Sequence, residues 1–157
     1  MFSKILIPTD GSVIANAAAR KGVEFAKQVG AEVIALFVAP NYQYPVYVEI
    51  VPPSYPDEEE YKASIKRTGD TFLKTIADMA AANGVKFSSI SMFSDATALC
   101  IVQAAQEHGC DMIFMGSHGR SGWGQLLLGS VTAKVLSACH IPVLVYRLQK
   151  EPGDKAA

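Results

Sequence analysis

Apolar positions along the chain alternate between two rhythms. Short, mostly β-branched runs stand at Ile5-Leu6-Ile7, Val33-Ile34-Ala35-Leu36-Phe37-Val38, Met112-Ile113-Phe114-Met115 and Val143-Leu144-Val145-Tyr146. A weaker alternation from Phe87 to Phe93 supplies a fifth candidate strand. Several of the runs are continuous rather than alternating, as expected for strands covered on both faces of a parallel sheet. Between them, apolar residues recur at helical spacing. Ile14, Ala18, Phe25 and Val29 share a face with Gly22, and Tyr61, Ile65, Phe72, Ile76 and Met79 form a longer stripe that stops at Asn83-Gly84. Leu99, Val102 and Ala105 predict a third helix ending at Gly109; Val131, Val135 and Ala138 predict a fourth ending before Pro142. Glycine after a periodic stretch is a helix stop. Strands alternating with helices predict a single α/β domain with a parallel sheet.

One stretch breaks the rhythm. Residues 39–57 hold Pro40, Pro45, Pro52, Pro53 and Pro56 together with Tyr42, Tyr44, Tyr47 and Tyr55. Proline removes a backbone donor and fixes φ, so no regular central element is expected there. A lid or binding loop and a loosely packed surface connection are both open readings. Asp57-Glu58-Glu59-Glu60 then suits the acidic first turn of a helix. The last residues, from Lys150 to Ala157, read as a frayed tail.

Glycine carries the chemistry. Gly116, Gly119, Gly122, Gly124 and Gly129 crowd one loop between the fourth strand and the fourth helix. Such a loop lets backbone N–H groups approach an anion, and the helix start adds unpaired donors and a favourable dipole. Ser130 would cap that helix or donate to a phosphate oxygen, and a side chain at position 129 would block the phosphates from the backbone. Gly124-x-x-x-x-Gly129-Ser130 nearly fits a P-loop, but serine stands where the phosphate-binding lysine belongs. A dinucleotide G-x-G-x-x-G fails because Leu127 follows Gly122 and Gly124. Asp10, after the first strand, suits a ribose hydroxyl or Mg²⁺, with a helix N-cap shared with Ser12 as the alternative. His118 is read as a solvent-facing loop residue in preference to a phosphate donor or base. Cys139-His140 is read as structural, since no second ligand pair has zinc spacing. Trp123 either braces the loop or covers a ligand.

The totals exclude some classes. Fourteen Lys and Arg against fifteen Asp and Glu leave a net charge of -1, without the basic excess of a nucleic-acid binder. The apolar run at the N-terminus is too short for a secretory signal, and no run reaches the ~18–20 residues of a membrane span. Three widely spaced cysteines suggest no disulfide framework. A soluble cytoplasmic protein is expected, with no membrane insertion.

The spacing Gly116-x-x-Gly119, nine residues, then Gly129-Ser130, resembles the G-2x-G-9x-G-(S/T) motif of ATP-binding universal stress proteins. The opening Ile5 to Ser12 and the segment Ile141 to Val145 are similar to that family's first and last strands. The resemblance implies an open five-stranded sheet in order 3-2-1-4-5 with helices on both faces, of the adenine-nucleotide alpha hydrolase-like type, over residues 1–147, followed by a flexible tail at 148–157. It implies ATP with its accompanying Mg²⁺ over the carboxyl ends of strands 1 and 4. By that resemblance Asp10 would contact the ribose or the nucleotide-bound metal, and Val38, Pro8 and Thr9 would border the adenine. Gly116, Gly119, Gly129 and Ser130 would hold the phosphates, with Val131 lending its N–H, Arg120 its charge, and Ser117 placed nearby. It further implies a homodimer through Val143 to Tyr146. The function expected is a nucleotide-responsive regulatory or stress-response module acting on an unidentified client protein, with no dedicated catalytic activity beyond slow ATP hydrolysis. A slow ATPase or nucleotide-dependent transferase is the alternative, as is a dimeric interaction protein with a vestigial site.

Overall fold

The computed structural model describes residues 1–119 and 127–148. Five strands, β1 (Lys4–Thr9), β2 (Glu32–Ala39), β3 (Phe87–Phe93), β4 (Met112–Gly116) and β5 (Val143–Tyr146), alternate with α1 (Val13–Val29), α2 (Glu58–Asn83), α3 (Thr97–Glu107) and α4 (Ser130–Ala138). The strands form one parallel sheet in the order β3-β2-β1-β4-β5. This is the topology the resemblance implied.

The pleat explains the continuous apolar runs, because successive side chains point to opposite faces and both faces are covered. Ile5 and Ile7 of β1, with Val33, Ala35 and Phe37 of β2 and Phe114 of β4, pack against α1 and α2. Leu6, Ile34, Leu36, Ile113 and Met115 point the other way, toward α3 and α4. Small residues set how closely the helices approach. A Cβ at Gly22 would come within 2.7 Å of the Ile7 Cδ1 atom, so α1 rests on β1 only because that position is glycine.

Local chemistry sets the helix ends. Ser12 accepts a hydrogen bond from the Ala15 N–H and starts α1, and Gly30 ends it with φ of 73°. Asp57 and Glu60 form a reciprocal capping box at the start of α2, so Asp57 is the cap itself and not part of the acidic first turn. One member of an expected stripe differs, while Val102 and Ala105 are buried as expected. Leu99 is 62% exposed, while Ala98, Ile101, Val102 and Ala105 form the buried face of α3.

The sheet has two edges, β3 and β5. Serines of β3 face solvent, and the side chains of β5 are half-buried. Among the described residues, no helix is long and apolar enough to cross a membrane. Arg120, Trp123 and nearly all of the expected tail, from residue 149 onward, lie outside the described residues.

Candidate functional site

β1 is flanked by β2 on one side and β4 on the other, so strand order reverses between β1 and β4. At such a point the connections leave in opposite directions and open a crevice at the strands' carboxyl ends. A cavity of about 510 Å³ lies there. Its volume falls within the roughly 300–1,000 Å³ usual for small-molecule sites.

Nine expected residues line it: Pro8, Thr9, Asp10, Val38, Gly116, Gly119, Gly129, Ser130 and Val131. β2 and α3 add Leu36, Thr97 and Ile101, and β4 adds Met115, which makes much of the wall apolar. Thr132, Ala15, Leu127, Leu128 and His118 complete it.

The polar side is built from backbone. β4 ends at Gly116, whose carbonyl accepts a 2.9 Å hydrogen bond from the buried Thr132 hydroxyl. The Gly129 N–H donates to the Ser117 carbonyl at 2.8 Å. These two bonds tie the strand end to the start of α4. Gly129 is the N-cap of α4 and supplies no side chain, so Ser130 is the first helical residue rather than its cap. Among the described residues, the first-turn N–H groups of Ser130, Val131 and Thr132 therefore have no capping side chain, and the helix dipole adds partial positive charge there.

Asp10 stands opposite. Its Oδ1 accepts from the Ser12 N–H at 2.9 Å, which fixes the carboxylate at the β1–α1 turn. Gly119 lies so close that a Cβ there would meet Asp10 Oδ2 at 2.6 Å. Among the described lining residues there is no Lys or Arg, and Asp10 is the carboxylate. The described groups that suit an anion here are backbone donors and a helix start.

Two expectations change. Ser117 does not line the cavity. It is 2% exposed, its N–H donates to the Tyr146 carbonyl, and its hydroxyl lies 3.0 Å from His118 Nδ1. Its role is to hold the loop to β5 and orient the imidazole. His118, expected in solvent, lines the cavity instead, and its Nε2 is buried with no hydrogen-bond partner among the described residues. A buried polar atom without a partner calls for a water or ligand to complete it. The sequence carried no signal for this exchange, because adjacent loop residues can point either way. Thr97 and Thr132 were also missed, although their positions at two helix starts facing the strands' carboxyl ends offered a signal.

A cation has limited protein support. Among the described residues no cluster of three or more His, Cys, Asp or Glu side chains exists. One carboxylate beside an anion cradle suits Mg²⁺ that arrives with its phosphates.

The model of the Universal stress protein family matches residues 1–147. Universal stress protein MJ0531 of Methanocaldococcus jannaschii is 34% identical over 155 residues, covering 96% of this chain and 85% of the relative. The solved structure of MJ0577, a universal stress protein from the same organism, superposes with a TM-score of 0.79 at 30% identity, covering 96% of this chain and 99% of that one. A universal stress protein solved in complex with cAMP shares the fold, with a TM-score of 0.65 and 22% identity over 93% of this chain and 97% of its own. The chain belongs to the universal stress protein family.

Proposed function

We propose that this protein binds an adenine nucleotide, ATP with Mg²⁺, in the cavity between β1 and β4, and uses occupancy as a regulatory signal. The observation that carries the reading is the convergence of Gly116, Gly119 and Gly129 on the uncapped start of α4, opposite Asp10. Backbone and Ser130 donors suit the phosphates, Asp10 suits the ribose or the nucleotide's metal, and the apolar wall around Leu36, Val38, Ile101 and Met115 suits a purine face. The cAMP complex of a protein with the same fold supports an adenine ligand. Mg²⁺, when bound, would neutralise phosphate charge; the chain's own part is to orient the phosphates and hold one carboxylate beside them.

Occupancy rather than turnover is the proposed output. The polar wall is built from backbone donors and a helix start, which bind an anion, and the Asp10 carboxylate is held by the Ser12 N–H as a fixed contact. The proposed unit is one domain over residues 1–147, with a tail at 148–157, working in the cytoplasm as a homodimer paired through Val143–Tyr146. A half-buried edge strand is a natural pairing surface.

Calorimetric titration with ATP, ADP, AMP and GTP tests the reading, together with mass spectrometry of small molecules released from the purified protein. Saturable adenine-nucleotide binding and a released adenine nucleotide are expected. No binding to any of the four, with no released nucleotide, would overturn it. Sustained phosphate release abolished by Asp10→Ala would replace the regulatory reading with an ATPase.

A further inference from the structure

The connection from β2 to α2 is neither loosely packed nor part of the cavity wall. Tyr42 sits at its centre, with its ring 5.0 Å from Tyr44, 5.6 Å from Tyr61 and 6.3 Å from Tyr55. The hydroxyls close the arch: Tyr42 donates to the Pro56 carbonyl at 2.8 Å, Tyr55 to Gln43 at 2.6 Å and Tyr61 to Pro40 at 2.7 Å. Tyr44 donates to the Glu58 carboxylate. The Asn41 backbone and side chain both donate to Asp95, fastening the arch to the β3–α3 link.

The base is ordered, yet the tip is apolar and bare. Tyr47 is 99% exposed, Ile50 84%, Val46 71% and Val48 50%. Single exposed apolar side chains are ordinary, but a contiguous group raised on a fixed base marks an interaction surface. Its charge is one-sided. Residues 28–61 contain no Lys or Arg; Glu49 lies within the tip and Glu59 in the adjoining first turn of α2, while Glu58 is paired with Lys62 and Asp57 and Glu60 are engaged in capping α2.

We infer that the tip of the 39–57 arch is a docking surface for a protein partner presenting apolar side chains flanked by lysine or arginine. Charge selects this occupant. An anionic membrane surface attracts polybasic segments and repels this one. A symmetric contact between two copies of the tip would bring like carboxylates together, which is unfavourable. The sheet order also sets β2, from which the arch springs, three strands away from β5, so pairing through β5 leaves a separate surface. Asn41 lies three residues beyond Val38, and Asp95 two residues before Thr97, and both Val38 and Thr97 line the cavity. The docking surface is thus joined to the cavity wall by short covalent paths, although the inference does not rest on nucleotide binding.

Selection from a library of random displayed peptides tests it, with counter-selection on a Tyr47→Ser/Ile50→Ser variant whose unchanged melting curve checks its fold. Surviving peptides are expected to combine aromatic or aliphatic residues with net positive charge. A synthesised survivor is expected to bind the parent at least about tenfold more tightly than the variant, as for truncated interface anchors. It should also weaken on Glu49→Lys/Glu59→Lys, which leaves the apolar tip intact. Acidic or neutral survivors, no survivors beyond counter-selection, or a charge reversal without effect would overturn the inference. Tyr47-dependent flotation with phosphatidylglycerol vesicles would replace it with a membrane contact. A change of oligomeric state in the tip variant would replace it with self-association.

Discussion

Gly119→Ala puts one methyl group into the narrowest part of the proposed cradle. Its Cβ would start 2.6 Å from Asp10 Oδ2. An ordinary non-bonded contact needs roughly 3.5 Å, so about 1 Å must be found. Asp10 cannot simply swing away, because its other oxygen is held by the Ser12 N–H at 2.9 Å. The loop must then move off the carboxylate, which spoils the cradle while leaving the sheet untouched. Overpacking of this kind costs about 1–3 kcal/mol. If the loop must be pressed back to receive a phosphate chain, that cost appears in binding, as a roughly 5- to 150-fold rise in Kd. Calorimetry with ATP on parent and variant measures it, and a thermal melt checks that Tm is nearly unchanged. An ATP Kd within twofold of the parent would refute the reasoning, as would a large drop in Tm with no loss of affinity.

Three further outcomes follow from the same geometry. Gly129→Val is expected to abolish measurable ATP binding, though by a route the sequence did not reveal. Its Cβ would lie 3.2 Å from His118 Cα and 3.3 Å from the Ser117 carbonyl, so it parts the loop from α4 instead of filling open space. The Gly129 N–H to Ser117 bond should then become measurably faster in hydrogen exchange, and unchanged exchange would contradict this. His118→Ala removes the cavity-facing Nε2 together with the Nδ1 partner of the buried Ser117 hydroxyl, so a modest loss of stability is expected while ATP affinity falls and adenosine affinity does not; His118→Gln should recover part of the affinity. Equal ATP affinity in all three proteins would show that Nε2 meets no phosphate. Burial pushes the Cys110 thiol up to about 11. The unfolded thiol loses its proton near its ordinary value of 9.0, before the folded one does, so this group's contribution to stability declines as pH rises from about 9 to about 11. Chemical denaturation across that window should show a shallower decline in Cys110→Ala, and identical slopes would contradict the assignment.

The strands were legible because burial on both faces leaves a continuous apolar run, and β1, β2 and β4 all carry one. β3 was fainter because it is an edge strand whose serines face water. In α3, Val102 and Ala105 were read correctly as buried and Leu99 was not. Leucine dominates hydropathy, yet the close packing of α3 on the sheet selects Ala98 and Ile101, and Leu99 is left outside. The glycine spacing pointed to the cradle because each short separation reflects a backbone that must come close. Gly116 would meet Ile14, Gly119 would meet Asp10, and Gly129 would meet the loop itself. Side-chain direction within the loop had no such signature, so Ser117 and His118 exchanged roles. The tyrosine arch was equally hidden: composition placed four tyrosines among prolines, but only the fold brings Tyr61 of α2 and Asp95 into the same network.

Amide chemical shifts during an ATP titration report each backbone donor of the β1–β4 crevice separately. Saturable shifts are expected to concentrate at Gly116, Gly119, Gly129, Ser130 and Val131, with smaller ones at Val38 and Ile101 and little change along β3. Saturable shifts confined to other residues, or none at saturating ATP, would contradict nucleotide binding in that crevice.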